Sequence, residues 1–245
     1  MEKLIVIGPA GSGKSTLSKA FGLWLENEGH AVEYVNLDPG AKYIPYKPTF
    51  DVRQFANVEK IMETEGLAPN GALIRASEIM EKSIDSIANC IEKKGRDAGY
   101  CIIDTPGQME LFLFRSLGPR LASSLRGKAS CIFVMDPCLL KGRTDIIVLK
   151  LLDLLVELRL GLPSLEVINK SDLLRPNIFE DFGKGLEKGY EPKGTSAELT
   201  DQLNDVVKGL SKRRHAIFVS ALRNCGMDDL YKAICESKCS CGDLS

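Results

Sequence analysis

Short apolar runs alternate with amphipathic stretches along the whole chain. Lys3–Ile7, Val32–Asn36, Tyr100–Ile103, Ser130–Met135, Leu165–Ile168 and Ala216–Val219 have the β-branched and apolar density of buried strands. Between them, Ser15–Glu28, Ala72–Lys94, Glu110–Leu125, Asp145–Leu160, Thr200–Lys212 and Met227–Glu236 carry apolar residues at helical spacing. Such alternation predicts an α/β fold, a doubly wound and mostly parallel sheet with helices on both faces. Ligands then belong at the carboxyl ends of the strands. The pattern supports one domain over residues 1–237 and a loose tail over 238–245.

Two segments break the alternation. Residues 38–71 hold four prolines, Pro39, Pro45, Pro48 and Pro69, and read as an insertion after the second strand. Residues 173–198 are rich in glycine, proline and charge and read as a surface elaboration with short helices.

Composition narrows the class. At 245 residues the chain can bury its own core, and 44% hydrophobic with 27% charged residues is the balance of a soluble globular domain. Lys plus Arg number 32 against 33 for Asp plus Glu, so no global field recruits nucleic acid or an anionic membrane. Neither partner is expected. Leu4–Ile7 is too short for a signal-peptide core, and Leu149–Leu162 is broken by Lys150, Asp153, Glu157 and Arg159. A cytoplasmic protein is therefore expected, with its eight cysteines as reduced thiols. Cys235, Cys239 and Cys241 lack the spacing of a zinc site and read as tail thiols. The run Lys212-Arg213-Arg214 reads as a solvated helix end.

Gly8-Pro9-Ala10-Gly11-Ser12-Gly13-Lys14-Ser15 is a G-x-x-x-x-G-K-[ST] phosphate loop between a predicted strand and a predicted helix. Backbone amides of Gly11, Ser12, Gly13, Lys14, Ser15 and Thr16 can wrap phosphates there, aided by the helix N-terminus. Lys14 should reach the β- and γ-phosphates, and the Ser15 hydroxyl should ligate Mg²⁺. Asp104 ends the apolar run before Thr105-Pro106-Gly107-Gln108, where a carboxylate needs a cation, and so is the second metal candidate. Gly107 can present its amide to a γ-phosphate, and Gln108 sits where a water-orienting glutamine belongs.

The base is addressed by Asn169-Lys170-Ser171-Asp172, which follows a strand about 65 residues after Asp104 and is similar to the N-K-x-D element of GTPases. Asp172 would accept from the guanine N1 and amino groups, which adenine cannot match. Asn169 would bond the purine edge, and the Lys170 stem would cover the base. Ser220-Ala221-Leu222, after the strand at 216–219, resembles the second guanine loop of GTPases.

A family resemblance rests on the segment between the second strand and the long helix. Asn36-Leu37-Asp38-Pro39-Gly40, Pro45, Asp51-Val52-Arg53 and Leu67-Ala68-Pro69-Asn70-Gly71-Ala72-Leu73 look like the GPN-loop GTPases, and the resemblance extends over about residues 1–235. It implies a SIMIBI-class P-loop domain that hydrolyses GTP to GDP and phosphate with Mg²⁺, working as a homodimeric switch. It also implies that Asp38 positions the attacking water or the metal shell, and that Asn70 contributes across the dimer to the partner's site. The length is that of an archaeal-type single-domain member. Residue 68 departs from the family's glycine. A positive φ there would strain an alanine by about 1 kcal/mol, but the following proline favours an extended backbone that alanine adopts easily.

Two other readings stay open. One is a GTP-gated assembly module whose hydrolysis depends on a partner. The other is a P-loop nucleotide or nucleoside kinase, for which residues 173–198 would have to supply the lid.

Overall fold

A computed structural model describes residues 1–94, 98–125, 128–140, 143–174 and 216–240, with 202, 203 and 209. Parallel strands β1 (Glu2–Ile7), β2 (Val32–Asn36), β3 (Phe50–Asp51), β4 (Tyr100–Asp104), β5 (Ala129–Met135), β6 (Ser164–Ile168) and β7 (Ile217–Phe218) form one sheet in the order β3-β2-β4-β1-β5-β6-β7. The helices between them are α1 (Lys14–Asn27), α2 (Val58–Glu65), α3 (Pro69–Lys82), α4 (Ile84–Lys94), α5 (Met109–Leu113), α6 (Leu117–Ser124) and α7 (Arg143–Leu160), with α8 (Met227–Ser240) after β7.

The sheet is buried on both faces, which is why its strands read as unbroken apolar runs. On one face Leu4, Val6, Ile102, Ile132 and Val134 meet Leu17, Phe21 and Leu25 of α1 and Leu230 and Ile234 of α8. On the other, Ile5, Ile7, Ile103, Cys131, Phe133 and Met135 meet residues of α3 to α7, including Ala76, Met80, Ile87, Phe112, Leu121 and Val156. The chain winds from β1 out to β2 and β3, returns through β4, and crosses beyond β1 to β5. The carboxyl ends of β4, β1 and β5 therefore surround the turn in strand order where a ligand crevice forms.

The structure refines three expected elements. The helix expected over 72–94 is two helices broken at Ser83, whose N–H is shared between the Ile79 and Met80 carbonyls. Ala76, Met80, Ile84 and Ile87 nevertheless all face one core, so the apolar stripe runs through the break and hides it. The helix expected over 110–125 likewise divides into α5 and α6, with the turn packed so tightly that a Cβ on Gly118 would lie 2.4 Å from the Phe112 carbonyl. The proline-rich segment contains β3 and α2. Helix α2 is capped by the Asn57 side chain, which accepts from the Lys60 N–H at 3.1 Å, and it ends at Gly66 in the left-handed region.

Helix α8 runs to Ser240, past the expected domain boundary at 237. Almost all of the expected elaboration over 173–198, most of the expected helix over 200–212, and residues 241–245 lie outside the described residues. Among the described residues no helix is long and apolar enough to cross a membrane.

Phe133 is fully buried in β5 between the phosphate-loop strand and β6. Its truncation in Phe133→Ala is expected to cost about 3–5 kcal/mol of stability, read as a lowered denaturation midpoint in urea. A loss below about 1 kcal/mol would contradict this placement of the core.

Candidate functional site

Apart from the Ala68–Leu73 turn, which opens α3, each motif begins at or just past the end of a strand. β1 feeds the phosphate loop, β2 leads into Asp38, β4 ends at Asp104, β5 leads into Asp136, β6 into Asn169, and β7 into Ser220. Parallel strands bring these carboxyl ends to one edge of the sheet, so positions distant in the chain become neighbours.

Glycine is required in the phosphate loop at two points. A Cβ on Gly8 would lie 2.2 Å from the Val134 carbonyl oxygen, and one on Gly13, where φ is +89°, would lie 2.5 Å from Asn169 Nδ2. The loop closes on Lys14, whose Nζ donates to the Gly8 carbonyl at 3.0 Å and the Pro9 carbonyl at 3.2 Å. Burial lowers the Lys14 pKa, while Asp104, Asp38 and Glu110 pull it back towards the charged form.

Asp104 is buried to 2% exposure. Tyr46 donates its hydroxyl to Oδ2 at 2.9 Å, whereas Oδ1 has no hydrogen-bond partner among the described residues. Burial pushes this carboxyl up to about 6, against the opposing pull of the Ser15 and Tyr46 hydroxyls and the Lys14 charge. A buried carboxylate oxygen without a donor, next to a hydroxyl and a lysine, has the chemistry of a hard-cation ligand. Ser15 and Asp104 could thus hold Mg²⁺, together with phosphate oxygens. Among the described residues no cluster of three or more His, Cys, Asp or Glu side chains is arranged to hold a metal alone.

Asp38 faces the same centre. Its Oδ1 accepts from the Gly40 N–H at 2.9 Å. Burial raises its pKa, and the Gly40 and Gly107 amides, Lys14 and Arg53 oppose the rise. Asn36 braces the turn, with Nδ2 donating to the Asp38 carbonyl at 3.2 Å and to Asp51 Oδ1 at 2.9 Å. Arg53 then clamps Asp51 through Nε and Nη2 and donates from Nη1 to the Ala41 carbonyl at 2.9 Å. Sequence reasoning quoted Asp51 and Arg53 without assigning this bracing. Tyr46 was missed altogether, because a tyrosine in a proline-rich loop carries no periodic signal.

A cleft of about 640 Å³ opens from this centre. Ala10, Asp38, Gly107 and Gln108 line it together with the apolar Met62, Pro69 and Leu73. Gln108 is exposed there, with no hydrogen bond from its side chain to the start of α5. Asn70 is exposed beside Pro69 at the start of α3, and it is not among the residues lining the cleft within its own chain.

The base end is tied together by Asn169, which is 2% exposed. Its Nδ2 donates to the Ser12 carbonyl at 3.0 Å and its Oδ1 accepts from the Ala221 N–H at 3.1 Å, so one amide joins three loops. Lys170 has a left-handed backbone (φ 56°), and its Nζ reaches the Gly11 carbonyl at 2.7 Å and Asp136 Oδ2 at 2.6 Å. That ion pair holds the Asp136 carboxyl below its ordinary range in spite of partial burial. Asp136 was not singled out from the sequence, although a carboxylate just past a buried strand repeats the signal given by Asp104. The Ser220 hydroxyl donates to Asp172 Oδ1 and fixes the carboxylate's orientation. Leu222 is 79% exposed at the rim.

A family described as "Conserved hypothetical ATP binding protein" matches residues 6–240. The GPN-loop GTPase of Pyrococcus abyssi is 35% identical over 253 residues, with 99% of each chain covered. The chain belongs to the GPN-loop GTPases. A solved structure of a P. abyssi GTPase in apo form superposes with a TM-score of 0.89 at 33% identity, covering 98% of both chains. GPN-loop GTPase 1 of Saccharomyces cerevisiae is 25% identical over 96% of this chain, which spans 65% of the yeast protein's length. In this GPN-loop chain Ala68 has φ −67° and ψ 158°, an extended backbone without strain, and Pro69 takes the first helical position of α3.

Gly13→Ala is expected to leave the fold intact and to abolish nucleotide binding, because the added methyl drives Asn169 out of its bridge between loops. Fluorescent-nucleotide titration alongside a circular-dichroism melt checks this. Binding within about threefold of the unsubstituted chain would contradict the packing described.

Proposed function

We propose that this GPN-loop GTPase hydrolyses GTP to GDP and phosphate with Mg²⁺, as a homodimer whose conformation follows the nucleotide. The observation that carries the reading is Asp104, a buried carboxylate with one oxygen lacking a donor, beside Ser15 and Lys14. When bound, the ion would supply positive charge to the β- and γ-phosphate oxygens.

The chain's own groups do the rest. The amides of Gly11, Ser12, Gly13, Ser15 and Thr16 wrap the phosphates, and Lys14 exchanges the Gly8 and Pro9 carbonyls for phosphate oxygens. Asp38 orients the attacking water and accepts its proton. Burial, which raises its pKa, makes it a stronger base than an exposed aspartate. Gly107 donates to the γ-phosphate, and Gln108 holds the water from the cleft side. Asn70 is supplied by the partner copy, which its exposed place at the start of α3 supports.

Guanine, and not adenine, is the base supported by the held Asp172 carboxylate, in spite of the ATP in the family description. Asn169 fixes the loops, Lys170 covers the base, and Ser220, Ala221 and Leu222 close its edge. The balanced charge supports a cytoplasmic protein that engages neither nucleic acid nor membrane.

Phosphate release measured with GTP and ATP in parallel, with Mg²⁺ and across protein concentrations, tests the reading. Release should be selective for GTP and rise per subunit with concentration, and Asp172→Ala should lose the selectivity. Asp38→Ala should lower kcat by about 10²-fold or more with binding retained. Equal rates with ATP would overturn the guanine assignment. GTP-selective release that is flat with concentration and very slow would instead favour a partner-dependent switch.

A further inference from the structure

The segment between Asp38 and β3 reaches the metal-binding carboxylate through a single phenol. Tyr46 donates to Asp104 Oδ2 at 2.9 Å, and its ring stacks on Tyr34 at 5.0 Å between centroids and 19° between planes. Tyr34 is seated in turn on α1. Its hydroxyl donates to Glu26 Oε1 at 3.3 Å, and its ring lies where a Cβ on Gly22 would come within 2.2 Å of its oxygen. A line of contacts therefore runs from α1 through two stacked rings to Asp104. Lys42, Tyr43 and Lys47 are exposed, and the segment's other ties lie at its ends, Ala41 to Arg53 and Thr49 to the Tyr34 carbonyl.

We infer that Tyr46 is a positioning residue for the metal site: its hydroxyl holds one oxygen of Asp104, presents the other to Mg²⁺, and so makes the order of residues 41–49 depend on metal occupancy. The inference rests on the reading of Asp104 as a metal-binding residue. A carboxylate free to rotate in a buried site would divide its time among neighbouring donors. A charge-assisted bond to one oxygen removes that freedom and leaves the second lone-pair set pointing one way. The coupling also runs in reverse by linkage, since a cation that fixes Asp104 stabilises the acceptor of the Tyr46 hydroxyl and with it the loop.

The test uses the full chain loaded with a fluorescent GDP derivative, whose dissociation is followed from excess EDTA through a Mg²⁺ series. Tyr46→Phe keeps the ring stacked on Tyr34 and removes only the donor. It should raise the Mg²⁺ concentration for half-maximal slowing of dissociation about tenfold, as expected for one charge-assisted hydrogen bond. The rate in EDTA should not change. Trypsin supplies a second readout, because Lys42 is exposed and Lys47 is shielded by the following proline. Mg²⁺·GDP should protect the Lys42 bond in the unsubstituted chain and fail to protect it in Tyr46→Phe. Asp104→Asn should lose the Mg²⁺ effect entirely. An unchanged Mg²⁺ midpoint and unchanged protection in Tyr46→Phe would overturn the inference, as would faster dissociation by the same factor with and without Mg²⁺. A normal Mg²⁺ response in Asp104→Asn would instead overturn the reading of Asp104 on which the inference stands.

Discussion

The site is organised around negative charge confined at the end of a buried sheet. Asp104 and Asp38 leave adjacent strands, β4 and β2, and both bear on the buried ammonium of Lys14. Burial raises the pKa of both carboxyls, and the Lys14 charge, helped at Asp38 by Arg53, offsets only part of the rise. The protein meets the remaining demand with donors at fixed positions, namely Tyr46 on Asp104 and the Gly40 amide on Asp38. The imbalance that is left is what a magnesium nucleotide can relieve. Such preorganised, incompletely compensated charge is how a phosphoryl-transfer site lowers a barrier without covalent chemistry.

The supports around this centre are graded by their distance from it. Asn36, Asp51 and Arg53 form a polar brace that bears on the site through the backbone around Asp38 and through the Arg53 charge on the Asp38 carboxyl. At the other end, the Asn169 amide and the Lys170 ammonium pin the phosphate loop from the base side. The two ends are therefore mechanically joined: the glycine-rich loop after β1 is held by Asn169 and Lys170, the residues proposed to shape the base pocket. The cleft beside Asp38, Gly107 and Gln108 is the open side of this assembly.

The parallel sheet was legible because burial on both faces writes each strand as an apolar run, and the phosphate loop, Asp104 and the Asn169–Asp172 element were legible because each follows such a run. The segment between β2 and α3 was much less legible. β3 is two residues long, and α2 is two turns whose signals, the Asn57 cap and Gly66, lie among prolines. Tyr46 and Asp136 reach the site through Asp104 and Lys170, partners 58 and 34 residues away, contacts that no local pattern can express. Ala68 shows the opposite case: the proline after it predicts an extended backbone, and Ala68 has one, free of the strain that a positive φ would bring.

The central claim is that this strand-end cluster is a guanine-nucleotide site, and calorimetric titration of the full chain with GDP and with ADP in the presence of Mg²⁺ tests it most directly. The account expects one GDP per subunit, bound at least about 10²-fold more tightly than ADP, because adenine would leave the Asp172 carboxylate without its donors. Equal affinity for the two nucleotides, or tighter binding of ADP, would contradict it.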